Sequence, residues 1–166
     1  MRRATGIIAT GTPDDHIALP YTERYRRRGV LKTAAGEDIL LDLAEAQELG
    51  HGTCLTLEDG SQIAIHALAE PLLEVRAANP HHLTRLAWHL GNRHLPVAIQ
   101  EERLLIQPDS VIEAMLVHLG AQVSAVNEPF SPEGGAYGLG RTHAHSHGHA
   151  DHDPNAHIPA RRAPTP

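Results

Sequence analysis

Six histidines and two aspartates fall within the fifteen residues 143–157, which read HAHSHGHADHDPNAH. Apart from alanine this His-rich segment has almost no apolar residue, so it cannot contribute to a packed core. Imidazole nitrogens at every second position can instead surround a transition-metal ion from several directions. The spacing therefore indicates metal binding, with the candidate ligands His143, His145, His147, His149 and His152.

The donor types restrict which metal this segment could hold. Neutral imidazole nitrogen suits Ni²⁺, Zn²⁺ and Cu²⁺, whereas Cu(I) and iron–sulfur clusters prefer thiolates. The chain has a single cysteine, Cys54, which excludes a multi-thiolate site within one chain. A functionless, solvated extension is the alternative, but six of the fourteen histidines of the chain in fifteen residues favour metal binding.

Composition narrows the classes of function. The 166 residues carry a net charge of −6, so nucleic acid is not an expected partner. The basic run Arg24, Arg26, Arg27 and Arg28 is interpreted as a solvated strand or loop face. The residues after Met1 lack the apolar run of a signal peptide, and no stretch is long enough to span a bilayer. We therefore expect a cytoplasmic protein without a membrane partner, and the single cysteine agrees with a reducing compartment.

Short strand-like runs separated by glycine and proline fill the first half of the chain. They cover residues 5–9, 16–19, 30–33, 38–42, 53–57 and 62–67, and residues 58–61 are a hairpin turn with glycine where positive φ is needed. Leu43, Ala46 and Leu49 indicate one short helical turn before Gly50. Residues 1–71 are thus predicted to form a small all-β domain, a sandwich or an open barrel.

The hydrophobic period changes after this domain. Residues 73–77 alternate as a strand, Asn79 and Pro80 then begin a helix, and Gly91 ends it. Residues 97–101 and 104–107 are predicted to be paired strands.

Ser110 and Glu113 form a capping box for a second helix that ends at Gly120, and residues 121–125 give a fourth strand. The order βαββαβ predicts a ferredoxin-like domain over residues 72–130, so the fold class is α+β. Residues 131–166 are predicted to be a flexible connector and a disordered His-rich tail that can reach the domain surface.

His94 is a candidate ligand outside the His-rich segment. It lies in HLGNRHLP, residues 89–96, between a helix end and a strand, where Pro96 restricts the backbone. A single histidine there more often satisfies a local hydrogen bond than binds metal. Two small domains favour oligomerisation, however, and in a two-fold dimer a surface histidine near the axis meets its own copy. Two imidazoles make half of a tetrahedral or square-planar site, which histidines of the tail could complete.

Several of these motifs together resemble the UreE family of urease accessory proteins, which are nickel metallochaperones. The resemblance rests on EPLLEVRA, LAWHLGNRHLP, PFSPEGGAYG and the His-rich C-terminus, and extends from about Leu41 through the tail. It implies an N-terminal β domain similar to a peptide-binding module and a homodimer formed through the ferredoxin-like domain. It also implies Ni²⁺ delivery to the urease assembly complex through the accessory GTPase of that system.

The resemblance carries the family's interface ligand onto His94 and leaves His89 to pack or orient the helix. Many family members have another histidine at the start of the second helix. Here that place reads Asp109-Ser110-Val111, and Ser110 is interpreted as a helix cap. The remaining histidines are interpreted as solvent-facing or satisfied in the core, namely His16, His51, His66, His81, His82 and His118.

These observations favour a non-enzymatic Ni²⁺ chaperone, with Zn²⁺ or Cu²⁺ as further ions that could bind. One ion would lie between the paired His94 side chains of a dimer, completed by His143 or His145. A metal store or buffer that uses the His-rich segment alone is the alternative. A metallohydrolase would need fixed ligands, an open water position and a base, and the HExxH motif is absent.

Overall fold

The computed structural model describes residues 1–134. Its first domain is a mixed six-stranded sheet. The strands are β1 Arg2–Ile8, β2 Asp15–Leu19, β3 Tyr25–Lys32, β4 Asp38–Glu48, β5 Cys54–Leu57 and β6 Gln62–Ala67. Their order in the sheet is β2-β6-β5-β1-β4-β3, and a short 3-10 helix, Tyr21–Glu23, lies between β2 and β3 in the chain. All six predicted strands are confirmed, and β2 and β3 are the edges of an open sheet.

The predicted helical turn between Leu43 and Leu49 is wrong. Strand β4 continues to Glu48, and its second half pairs with the beginning of β3 through Tyr25↔Glu48 and Arg26↔Gln47. Pairing with a neighbouring strand satisfies the backbone groups of this segment, so tertiary context overrides the weak helical spacing.

Alternating apolar residues bury one face of this sheet, as the period of two requires. Ile17 on β2, Ile39 on β4 and Ile65 on β6 are fully buried in the resulting core. The hairpin turn between β5 and β6 is confirmed, because Gly60 has a φ of 83° and donates its N–H to the Leu57 carbonyl.

The second domain has the predicted order βαββαβ. Its sheet is antiparallel throughout, with the strand order β10-β7-β9-β8. The elements are β7 Ala69–Arg76, α1 Pro80–Gly91, β8 Ala98–Ile99, β9 Arg103–Ile106, α2 Ser110–His118 and β10 Gln122–Pro129. The ferredoxin-like fold is therefore confirmed. No helix within residues 1–134 is long and apolar enough to cross a membrane.

Both helices begin with a side chain that caps the helix N-terminus, and the predicted cap of α2 is wrong. Asn79 caps α1 as expected, since its side chain accepts the backbone N–H of His82. The cap of α2 is Asp109, whose carboxylate accepts the N–H groups of Val111 and Ile112, while Ser110 is the first helical residue. Asp109 has the extended backbone that an N-cap needs, so the motif is shifted by one residue from the sequence-based assignment.

A small third cluster joins the two domains. Tyr21 packs edge-on against Phe130, which follows β10 and is fully buried. The Arg24 side chain is only 2% exposed, donates to the Phe130 carbonyl and lies over the Tyr21 ring. The prediction that Arg24 belongs to a solvated basic face is therefore wrong. Arg28, in contrast, remains exposed on β3.

Candidate metal centre

His94 lies just beyond the C-terminal end of α1 and is exposed. Its φ is 56°, and it is the only non-glycine residue with positive φ among the 134 residues that the structure describes. A side chain in this left-handed conformation costs about 1–2 kcal/mol relative to the right-handed one. Such strain at an exposed histidine is a reason to look for a function, because a glycine would fit the same backbone without it.

Backbone hydrogen bonds define why His94 adopts this conformation. Its N–H donates to the Gly91 carbonyl at 2.9 Å, and the next N–H, that of Leu95, reaches back to the Leu90 carbonyl at 3.4 Å. This pair of bonds is the Schellman motif, and the accompanying apolar contact is present because Leu95 packs on the core that contains Leu90. Gly91 is the last helical residue, but the left-handed position that turns the chain belongs to His94.

Exposed apolar groups occur on α1 and beside the segment that follows His94. Trp88 on α1 is 62% exposed and packs edge-on against the ring of His89, with 5.0 Å between ring centroids. The chain after His94 lines a hollow of about 190 Å³ whose walls include Leu95, Pro96 and Ile112. Exposed aromatic side chains and apolar hollows are typical of a surface that another molecule covers.

The chain returns to this region at the end of the described residues. The N–H of Glu133 donates to the carbonyl of Val97 at 2.8 Å, three residues after His94. Phe130, fully buried, fixes the chain immediately before this contact. The last described residues therefore lie beside the segment that follows His94 in the sequence.

The other candidate ligands lie in the His-rich segment and at the start of α2. His143, His145, His147, His149 and His152 lie outside the described residues. Asp109 and Ser110 begin α2, and no histidine occupies that helix start. Within residues 1–134 no group of three or more His, Cys, Asp or Glu side chains is placed to hold a metal ion together. Among the described residues, His94 therefore has no second candidate ligand beside it within a group of three.

Comparison with known proteins identifies the family. The model of the UreE N-terminal domain matches residues 2–68, and that of the UreE urease accessory protein C-terminal domain matches residues 70–157. The chain belongs to the UreE family of urease accessory proteins. The match begins near the N-terminus, so it covers more of this UreE-family chain than the motifs after Leu41 indicate.

Relatives named "Urease accessory protein UreE" are similar over most of their length. One from Chelativorans sp. (strain BNC1) is 50% identical over 159 residues, which cover 95% of this chain and 98% of the relative. Another from Rhodobacter capsulatus is 48% identical over 151 residues, covering 89% and 94% respectively. A third, from Bradyrhizobium sp. (strain BTAi1), is 48% identical over 157 residues, covering 92% and 75%. The family is one of accessory factors of urease maturation rather than of enzymes.

Sequence reasoning missed one cluster of histidine side chains in this UreE-family chain. His16, His51 and His66, interpreted individually as solvent-facing or core residues, lie side by side on the first domain. The signal that could have found His16 and His66 is their offset by two residues in the register of β2 and β6, which becomes visible only once those strands are paired.

Proposed function

We propose that the protein is a nickel metallochaperone that binds Ni²⁺ and delivers it for assembly of the urease active site. The observation that carries this proposal is His94, an exposed imidazole held in a strained backbone conformation at the end of α1. Monodentate imidazoles can be exchanged one at a time, which suits an ion that must be passed on. We propose the urease accessory GTPase and the urease assembly complex as acceptors.

A homodimer would bring two copies of His94 together. Exposed Trp88 and the apolar hollow beside Leu95 give the second domain a surface that a copy of the same chain could cover. In an isologous interface each residue near the two-fold axis faces its own copy. The paired His94 side chains would then supply two nitrogen ligands, half of the coordination sphere of a four-coordinate ion.

Histidines of the tail would supply the remaining ligands. The last described anchor is the hydrogen bond from Glu133 to Val97. Nine residues lie between Glu133 and His143, so the ten residue-to-residue steps span at most about 35 Å when fully extended. That length is sufficient for His143 or His145 of either chain to reach an ion at His94, with His147, His149 and His152 holding further ions.

Nickel selectivity would not come from the ligands themselves. Imidazole sites bind Cu²⁺ more tightly than Ni²⁺ and also accept Zn²⁺, so cellular supply and the acceptor protein must decide which ion is carried. We place this activity in the cytoplasm, a reducing compartment in which the buried, unpaired thiol of Cys54 is stable.

Equilibrium dialysis of His94→Ala against Ni²⁺ tests the central site. The variant should weaken the tightest site by more than the roughly 10–100-fold that loss of an outer-shell partner costs. His81→Ala is the matched control, because His81 is an exposed histidine on the same helix. An unchanged high-affinity site in His94→Ala would contradict the proposal.

A metal store or buffer for Ni²⁺ or Zn²⁺ is the second candidate function, favoured by six histidines in the fifteen residues of the His-rich segment. A buffer would use that segment alone and would need neither His94 nor a dimer. Truncation after Thr142 separates the two functions. A buffer would lose all tight binding, whereas the chaperone would retain a nickel site that responds to His94→Ala.

A further inference from the structure

Three imidazoles lie together on the first domain, far in sequence from His94. The ring centroids of His16 and His66 are 4.5 Å apart with an angle of 25° between the planes, and those of His51 and His66 are 5.7 Å apart. The side chains are at least partly open to solvent. An ion from solution could therefore reach this cluster.

Strand pairing explains why His16 and His66 meet. Strands β2 and β6 are parallel, with His16 opposite Ala64 and Ala18 opposite His66. Ile17 and Ile65, the neighbours of the two histidines, point into the core. Because side chains alternate along a strand, both histidines project from the opposite face of the sheet as diagonal neighbours.

The three rings do not have equivalent nitrogens. Nδ1 of His51 accepts the backbone N–H of Ala67 at 3.1 Å, so a neutral His51 carries its proton on Nε2 and has no free lone pair for a metal. Within residues 1–134, no comparable hydrogen bond holds the ring nitrogens of His66. Asp15 Oδ1 lies 3.8 Å from Nδ1 of His16, where it favours a proton on Nδ1 and leaves Nε2 available.

The charged and titratable groups next to the two rings are His51 and Asp15. Partial burial, followed by the proximity of His16 and His51, lowers the pKa of His66 below its usual value. A hydrogen bond from the Thr33 side chain is the main cause that lowers the pKa of Asp15, which keeps this carboxylate ionised beside His16. The Asp15 carboxylate therefore places a negative charge beside the pair, which would attract a cation.

We propose that His16 and His66 bind one divalent late transition-metal ion, a site in the first domain separate from the one at His94. Two imidazoles bound cis to one ion, with metal–nitrogen distances of about 2.0–2.1 Å, place their ring centroids roughly 4.5 Å apart. The observed separation matches this value, and metal binding would require the stacked rings to rotate until one lone pair of each converges on the same ion. Water would fill the remaining positions, and Cu²⁺ would bind more tightly than Ni²⁺.

This inference goes beyond the nickel site of the proposed function and does not rest on it. A two-ligand, water-completed site is open, so its ion exchanges readily. It would give the first domain a place where an ion can be held before or after it occupies the His94 site.

Copper binding by the full-length chain tests the proposal. Equilibrium dialysis against Cu²⁺ should give one bound ion fewer per chain for His16→Ala, and the same loss for His66→Ala and for the double variant, because either ligand alone is insufficient. His81→Ala should keep the wild-type number. Equal numbers in the wild type and the double variant would overturn the proposal.

A measurement on the unmodified sequence avoids any effect of the substitutions on folding. Substoichiometric Cu²⁺ should broaden the backbone amide NMR signals of residues 15–18 and 64–67 in the full-length chain. The same broadening should occur in His94→Ala, so failure of the nickel site and failure of this site are distinguishable. Broadening confined to other residues would contradict the assignment.

Discussion

The two helices of the second domain end with the same backbone motif but with different residues in its left-handed position. At the end of α2, Gly120 has a φ of 84°, and its N–H donates to the Val117 carbonyl while Ala121 reaches back to Leu116. At the end of α1 the equivalent bonds are made by His94 and Leu95. Glycine adopts this conformation without strain and histidine does not.

The surroundings of the two helix ends also differ: the end of α2 is held by side-chain hydrogen bonds, and the end of α1 is exposed. The end of α2 is tied to the rest of the domain, because His82 of α1 bonds through Nε2 to the Leu119 carbonyl and through Nδ1 to the N–H of Ala78. The His94 side chain, in contrast, is exposed to solvent. The end of α2 is stabilised by hydrogen bonds, and the end of α1 retains backbone strain that we attribute to the proposed metal binding.

The variant with the largest expected effect is His94→Gly. It should remove the tightest nickel site as His94→Ala does, more than about 100-fold in affinity. It should also raise the free energy of unfolding by about 1 kcal/mol relative to His94→Ala, because only glycine relieves the left-handed strain. Nickel dialysis and urea unfolding of the two variants check both statements. Equal stability of the two would show that the conformation of His94 costs nothing.

Acidification should affect nickel binding strongly, since every imidazole ligand must be neutral before it coordinates. Below the unperturbed pKa of about 6.5, each imidazole lowers affinity by up to about tenfold per pH unit, so two ligands lose roughly 100-fold at pH 5.5. A nickel titration at several pH values measures this slope. Affinity that persisted unchanged to about pH 5 would indicate carboxylate ligands and would remove the reason for strain at His94.

Gly120→Ala should have the smallest effect, and only on stability. An added Cβ would meet His82 Cε1 at 3.7 Å, an ordinary contact, so the cost is that of a side chain at positive φ. We expect a loss of about 1 kcal/mol in the free energy of unfolding and unchanged nickel affinity. Urea unfolding with parallel dialysis provides the check. A comparable loss of nickel binding would mean that the two helix ends are not functionally distinct.

Much of the fold could be predicted from the sequence because local patterns dictate it. Alternating apolar residues define the strands, and Asn79-Pro80 fixes the start of α1. The segment after Leu43 could not be assigned locally, since its pairing with β3 brings together residues about twenty positions apart. The burial of Arg24 could not be predicted for the same reason, because its partner, the carbonyl of Phe130, is more than a hundred residues away in the sequence.

The position of His94 just past the end of α1 was predictable from the sequence, but its backbone geometry was not. HLGNRH indicates His94 as a ligand through the family resemblance, yet the glycine of that motif suggests a left-handed residue at Gly91. The observed left-handed residue is His94, three positions later, because the last turn of α1 closes on the Gly91 and Leu90 carbonyls. Likewise, the contact between His16 and His66 depends on the parallel pairing of β2 with β6, which are distant in sequence.

The hydrogen bond from Glu133 to Val97 has a kinetic consequence. In the proposed chaperone, this bond fixes Glu133 beside the segment that follows His94, so a histidine of the tail would meet an ion at His94 at an effective concentration in the millimolar range. Closure of the site is then a first-order event whose rate is independent of protein concentration. Transfer of the ion to a separate acceptor protein is second-order, so dilution should slow this transfer and leave the rate of site closure unchanged.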